Sequence, residues 1–348
     1  MLSVTIDTAV FAPPGIDAPA DDVHGFVATL LEWRDAMDDE QVGVYTSKFA
    51  PAVLMKCGLY PLRPQLRELL ARARVFEYDA NTVAVLAETL LGRSAKIEDA
   101  LGIDDVLVDD LTIKPDIFAG HAPVALREEA ERCAVVVSIV TQYCNESLIH
   151  GHAIVIRAHD FGAAVRVRGV LQDVEHSRND LGGLPMAPEY FEGSALVCSS
   201  FHRLLMSLDE VAVLRAATAE DNVRAAINLA LYKQHVTLGR PRDWQDLPDF
   251  LIGHEFFASL EAHHVMSGAA LAEKVIRAVI ETICHENLAA THWLRKGKGG
   301  SDAQRMRGKD AAWRRDIDYE YHLHYWECEI GVVELALLVV HNEFSIPE

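Results

Sequence analysis

Leu2-Ser-Val-Thr-Ile-Asp7-Thr-Ala-Val-Phe11 opens the chain with β-branched and apolar residues interrupted near the end by one aspartate. Bounded by Pro13-Pro14-Gly15 and an acidic loop to Asp22, this run reads as a buried strand that stops at a turn. A helix is expected from Asp21 or Asp22, with Val23, Phe26, Val27, Leu30 and Leu31 on one face. Val42–Thr46 reads as a second strand. Helices are predicted over 48–57, 62–73 and 82–91, with a strand at Val75–Tyr78 between the last two. The acidic stretch 98–118 reads as loop and short helix, and Pro123–Ile149 as a long helix. Strands follow over His152–Arg157 and Val165–Val174. Strands alternating with helices predict an α/β domain with a mostly parallel sheet over residues 1–175.

The turn-rich segment 176–200 is the expected linker. Beyond it, helical patterns cover 204–217, 220–234, 249–264 and 269–290. Strands are then expected at Arg314–Trp326 and Val332–His341, joined as an antiparallel hairpin around Gly331. The second domain, 201–348, is therefore predicted to be mainly helical and to close with that hairpin, an α+β arrangement.

The bulk properties narrow the function classes. A chain of 348 residues, half of them hydrophobic, can bury two cores. No apolar run approaches the roughly 20 residues of a membrane span, and the opening residues lack the basic region of a secretory signal. The six cysteines are scattered without a CxxC pair, so reduced thiols and a cytoplasmic location are expected. A net charge of −20 argues against indiscriminate coating of nucleic acid. Neither a GxSxG nucleophile motif nor a phosphate-binding GxxxxGK[ST] loop occurs.

One segment reverses the charge. Arg295, Lys296, Lys298, Arg305, Arg307, Lys309, Arg314 and Arg315 stand against only Asp302 and Asp310, with glycines between them. Glycine lets backbone N–H groups approach an anion, and arginine grips phosphate with two parallel bonds. The loop is thus a candidate phosphate contact, flanked by Trp293 and Trp313, which could stack on unpaired bases. Just after it, period-two alternation places Arg314, Asp316, Asp318, Glu320, His322, His324 and Trp326 on one strand face. Three readings compete for that face: a metal site built on His322 and His324 with neighbouring carboxylates, metal-free RNA cleavage by Glu320, His322 and His324, or structural pairing. Burying so many ionisable groups is costly, so an inert version of the face is expected to be exposed.

The N-terminal segments carry a resemblance. Val4-Thr-Ile-Asp-Thr-Ala-Val-Phe resembles the first strand of PIN-like nucleases, where an aspartate followed by threonine ends the strand. Val44-Tyr-Thr-Ser47 followed by a helix is similar to that family's second strand and its Thr-Ser step. Ile154-Val-Ile-Arg-Ala-His-Asp160-Phe is similar to the later strand that delivers another aspartate. The resemblance covers roughly residues 1–175. It implies Asp7 and Asp160 as ligands of Mg²⁺ or Mn²⁺, which activate water against phosphorus. The family's glutamate after the Thr-Ser step is missing here, and Glu88, Glu128 and Glu146 are the candidates to replace it. Together these readings predict a metal-dependent nuclease acting on RNA or single-stranded nucleic acid, in a bacterial defence or toxin–antitoxin setting. The alternative is a non-catalytic subunit with a degenerate nuclease domain that docks a partner protein through the acidic surface.

Overall fold

The computed structural model describes residues 2–143, 152–158, 160–177, 184, 186–240, 242–297 and 302–347. The chain forms two compact units, Met1–Ser207 and Leu208–Glu348.

The first unit is the expected α/β fold. In chain order it contains β1 (Leu2–Ile6), α1 (Ala20–Met37), β2 (Val42–Thr46), α2 (Ala50–Lys56), α3 (Arg63–Ala73), α4 (Ala80–Arg93), β3 (Ala95–Lys96), α5 (Ile97–Leu101), β4 (Ile103–Lys114), α6 (Val124–Tyr143), β5 (His152–Val155), β6 (Gly162–His176), β7 (Glu189–Cys198) and α7 (Phe201–Ser207). The strands make one sheet in the order β3-β2-β1-β5-β7-β6-β4. The pairs β2–β3, β1–β2, β1–β5 and β5–β7 are parallel, while β6 pairs antiparallel with β7 and β4. β1 is buried along its whole length, as a central strand of a covered parallel sheet should be. One polar network crosses its face: the His152 ring of β5 bonds Ser3 Oγ at 2.9 Å and Thr5 Oγ1 at 2.7 Å. Burial pushes His152 down to about 4, so the ring is neutral.

Three expectations for this unit are corrected. The acidic stretch 98–118 is mostly β4, a 12-residue strand at the edge of the sheet; its acidic side chains leave one face wet and guard the edge against further pairing. Val75–Tyr78 forms no strand. The segment 176–200 is not a linker, because β7 lies inside the sheet between β5 and β6. There Gly193 lets α6 approach: a Cβ on it would sit 3.1 Å from the Ser138 backbone oxygen.

The second unit comprises α8 (Glu210–Arg215), α9 (Glu220–Thr237), β8 (Phe250–Ile252), α10 (Phe256–Ala262), α11 (Ala269–Ile283), β9 (Thr291–Trp293), β10 (Met306–Arg307), β11 (Asp310–Asp316), β12 (Tyr321–Glu327) and β13 (Val333–Val340). Its sheet runs β10-β11-β12-β13-β8, with β9 on β11. The β12–β13 hairpin is as predicted, but the long strand 314–326 is not one strand. Asp318 accepts bonds from the backbone N–H groups of Glu320 and Tyr321, an aspartate-stabilised turn. The chain therefore folds back, placing Asp316 opposite His322 and Arg314 opposite His324. Helices predicted over 204–217 and 249–264 are also interrupted: Asp209 caps α8 through Val211 and Ala212, and β8 precedes α10. Among the described residues no helix is long and apolar enough to cross a membrane.

Candidate functional site

The sheet of the first unit reverses direction at β1. From β1 the chain moves outward to β2 and β3, then returns to place β5 on the other side of β1. At such a switch point the carboxyl ends of the two diverging strands open a crevice. Asp7 follows β1 there, and its backbone N–H donates to Val155 O at the end of β5 over 3.0 Å.

Asp7 is 1% exposed. Its side chain caps the 3-10 turn Thr8–Phe11 by accepting from Ala9 N at 3.2 Å. Its other oxygen lies 2.5 Å from His121 Nε2. A carboxylate can only accept, so Nε2 carries the hydrogen of this bond. His121 sits in the loop before α6, edge-on to Phe118. No hydrogen bond among the described residues takes its Nδ1.

A second group of charges stands beside this pair. Glu98, at the start of α5, is fully buried and accepts from Ser47 Oγ at 3.1 Å and Lys48 N at 2.9 Å. Glu129, Arg132 and Cys133 share one face of α6 because positions i, i+3 and i+4 of a helix are neighbours. Arg132 bonds Glu129 at 2.9 and 3.0 Å, Ser47 Oγ at 3.0 Å, and Glu98. Burial opposes the arginine's charge, yet the Glu129 bond and the charges of Glu129 and Glu98 hold its pKa above the ordinary arginine value. Cys133 is pushed well up, first by burial and then by Glu129; Arg132, Glu98 and Asp7 also act on it. Cys133 Sγ lies 3.6 Å from Glu129 Oε1.

A cavity of about 500 Å³ opens at the crevice, within the roughly 300–1,000 Å³ usual for small-ligand sites. His121, Arg157, Gln65 and Leu69 help to line it, with Pro13 to Ile16 and Gly58. Among the described residues no aspartate or glutamate lines it. Arg157, just past β5, donates to Ala12 O at 2.7 Å. Burial lowers its pKa, with Asp22 and Asp7 acting against that shift. Among the described residues its polar lining is one arginine, one histidine and one glutamine.

The metal expected from the nuclease resemblance does not fit these donors. The carboxylates already have partners within the protein: Arg132 bonds Glu98 and Glu129, and the His121 ring bonds Asp7. Among the described residues no group of three or more His, Cys, Asp or Glu side chains is arranged to hold a metal ion. Asp160, the other expected ligand, is exposed and paired with Arg203 of α7, and that hydrogen bond lowers its pKa. Glu88 is exposed on α4, Glu128 is exposed on α6, and Glu146 lies outside the described residues. Sequence reasoning missed Glu98, Glu129, His121, Arg132 and Arg157. A trace of the middle pair was legible, since Glu129-x-x-Arg132 is an ion-pair spacing on a helix.

The second unit holds the other candidates. His322 and His324 are buried, whereas an inert version of the face was expected to be exposed. His324 Nδ1 donates to Ser345 O at 2.7 Å, and Trp326 Nε1 to Pro347 O at 2.9 Å, so the C-terminal residues cover the strand. Burial pushes His324 down to about 4. His322 Nε2 is 2.9 Å from His341 Nδ1 and its Nδ1 is 3.0 Å from Asp316 Oδ1; burial lowers this ring too, against the pull of Asp316. Neutral imidazoles, rather than paired ions, are how the chain tolerates this face. Glu320 is exposed in the turn.

Most of the basic segment is engaged within the unit; Lys296 is exposed, with no side-chain bond among the described residues. Arg315, 1% exposed, donates to Glu281 Oε2 and to the carbonyls of Glu281, Asn287 and Glu286, satisfying the end of α11. Arg307 pairs with Asp310 and Glu334, and Lys309 with Glu329. Arg295 donates to Asp302 O, and Arg305 to the carbonyls of Arg295 and Lys296. Arg314 lies 3.6 Å from Asp316. Lys298 lies outside the described residues. Trp293 remains 54% exposed beneath the Arg295 guanidinium.

The architecture is therefore a mostly parallel sheet with a buried aspartate at its switch point, hydrogen-bonded to His121, and a cavity of about 500 Å³ lined in part by His121 and Arg157. No family model, curated protein or solved structure matches the chain.

Proposed function

We propose that the first unit is a PIN-like domain that acts on nucleic acid, with RNA as the substrate, at the crevice formed by Asp7, His121 and Arg157. The observation that carries this reading is the placement of Asp7 at the carboxyl end of β1, where strand order reverses, beside a cavity lined by Arg157 and His121 and, among the described residues, by no carboxylate. A phosphodiester is the anion that nuclease-like architecture handles, and an arginine at the cavity is suited to it. With a net charge of −20, the protein repels long bare duplex and favours a strand that enters one local cationic site. The described cysteines are all free thiols, which suits a reducing, cytoplasmic setting.

A second reading rests on Arg132. A guanidinium held between Glu98 and Glu129 is what a nuclease domain that has ceased to cut would carry in place of metal. Such a domain would bind RNA, or a partner protein through the acidic surface, as a scaffold.

The test is binding and cleavage of a pool of single-stranded RNA, duplex RNA and DNA, by wild type, Asp7→Asn and Arg157→Ala, with Mg²⁺, with Mn²⁺ or with EDTA. The expected results are loss of cutting in Asp7→Asn and RNA binding weakened at least about tenfold in Arg157→Ala. Binding without cutting by wild type selects the scaffold. A protein that neither binds nor cuts any member of the pool overturns both readings.

A further inference from the structure

The charges around Asp7 have a consequence for how a strand is cut, and it rests on the reading that RNA enters this crevice. Metal-dependent hydrolysis needs carboxylate oxygens open to a cation and facing the substrate. Here the relation is reversed. The carboxylates lie behind, Glu98 bonded to Arg132 and Asp7 to the His121 ring, and the described residues lining the cavity include a histidine, an arginine and a glutamine. We propose that His121, oriented by Asp7, is the general base of a metal-independent cleavage of RNA, and that Arg157 receives the phosphate.

The geometry assigns the roles. The 2.5 Å bond from His121 Nε2 to Asp7 Oδ2 fixes the tautomer and orientation of the ring, because the carboxylate is held in turn by Ala9 N. That leaves Nδ1 as the lone-pair nitrogen, on a residue that lines the cavity. Phe118 against the ring edge restricts its rotation. An imidazole with one nitrogen anchored on a buried carboxylate and the other unengaged is built as a base. Arg157, anchored by Ala12 O on one terminal nitrogen, retains further N–H groups for a phosphate oxygen.

The base needs a proton to remove, and RNA carries one beside each phosphorus. His121 Nδ1 takes the proton of the 2′-hydroxyl, and the 2′-oxygen bonds to the adjacent phosphorus. The bond from phosphorus to the 5′-oxygen breaks, and that oxygen takes a proton from solvent. The products are a 2′,3′-cyclic phosphate and a 5′-hydroxyl; His121 then returns its proton to water. No atom is added and no electron transfer occurs, so no co-reactant is required. Arg157 offsets the charge that builds on the phosphoryl oxygens in the transition state. Asp7 is a positioning residue, acting only through the ring.

The experiment uses the full chain with an end-labelled single-stranded RNA pool in EDTA, with product ends identified by their susceptibility to phosphatase and kinase. Cleavage that survives EDTA and leaves cyclic phosphate and 5′-hydroxyl ends is expected. It should fall by about 10²–10⁴ in His121→Gln, with the ascending limb of the pH–rate profile lost. A 2′-deoxy analogue should bind as RNA does and remain intact, a control that needs no variant to fold. Arg157→Lys, which keeps the charge but not the paired N–H groups, should lower kcat more than it raises KM. Cleavage that requires Mg²⁺ or Mn²⁺, or that leaves 5′-phosphate ends, overturns the proposal while the RNA reading stands. Binding without cleavage also overturns it, and neither binding nor cleavage removes both.

Discussion

Two regions of this molecule look equally chemical as strings of letters, and the structure treats them in opposite ways. The switch-point crevice of the first unit and the histidine strand of the second both gather carboxylates, imidazoles and arginines. In the crevice, the acids are buried behind and the bases line a cavity. On β12, the imidazoles are sealed under the C-terminal residues, with His324 bonded to Ser345 O and no part of its surface exposed. A cluster of ionisable groups therefore becomes a candidate site when some of its polar atoms are left unengaged next to open volume; composition alone does not distinguish the two cases.

The largest expected effect sharpens the crevice side. Arg132→Met leaves Glu98 and Glu129 buried without their cation, and breaking such a pair costs about 3–5 kcal/mol. Urea unfolding of the first unit should show a loss of that order, and Glu129→Gln in the same background should restore part of it. If Arg132→Met is as stable as wild type, Arg132 is not the internal counter-ion and the case against a metal there weakens.

Acid should act on both regions through one mechanism. His152 in the first unit and His324 in the second are each pushed down to about 4 by burial. Their unfolded forms titrate near 6.5, so below that pH the unfolded chain binds protons that the folded chain refuses. Stability from each ring is complete above about pH 6.5 and is lost as the pH falls toward 4, by about 3 kcal/mol apiece at the limit. Urea midpoints at pH 7, 5.5 and 4 should fall for wild type. His152→Gln should flatten the dependence of the first unit alone and His324→Gln that of the second; a variant of one that flattens neither would break the parallel.

The contrast also shows which features a sequence can reveal. The strand β1 and Asp7 were legible because an apolar run and its terminating aspartate are adjacent in the chain. The edge strand β4 was not. Its alternation, Val106 and Val108 among aspartates, is that of a half-wet edge, where acidic residues suppress the strand signal while doing the work of an edge. His121 was missed because its partner Asp7 is 114 residues away, and no local periodicity encodes such a pairing. The long strand 314–326 was misread because strict alternation continues through a turn: Asp318, read as one more member of a polar face, is the residue that ends β11.

His322→Gln tests the sealed side more directly. His322 contacts His341 and Asp316 and opens on no described cavity, so RNA cleavage and binding should change less than about twofold, within the range of an independent site. A large loss of activity at normal stability would return the chemistry to β12 and dismiss the crevice.

The smallest expected effect concerns the basic segment, and it discriminates through a slope rather than a level. A lysine that contacts phosphate releases counterions, so removing it lowers the slope of log K against log salt by about 1. Lys309 instead pairs with Glu329 in an exposed position, a contact that contributes little stability. Lys309→Ala should therefore leave RNA affinity and its salt slope unchanged, whereas Arg157→Ala should reduce both. The same titration on two variants thus asks whether the cation that meets RNA belongs to the segment that looked basic in sequence, or to the single arginine that the fold of the first unit carries to its cavity.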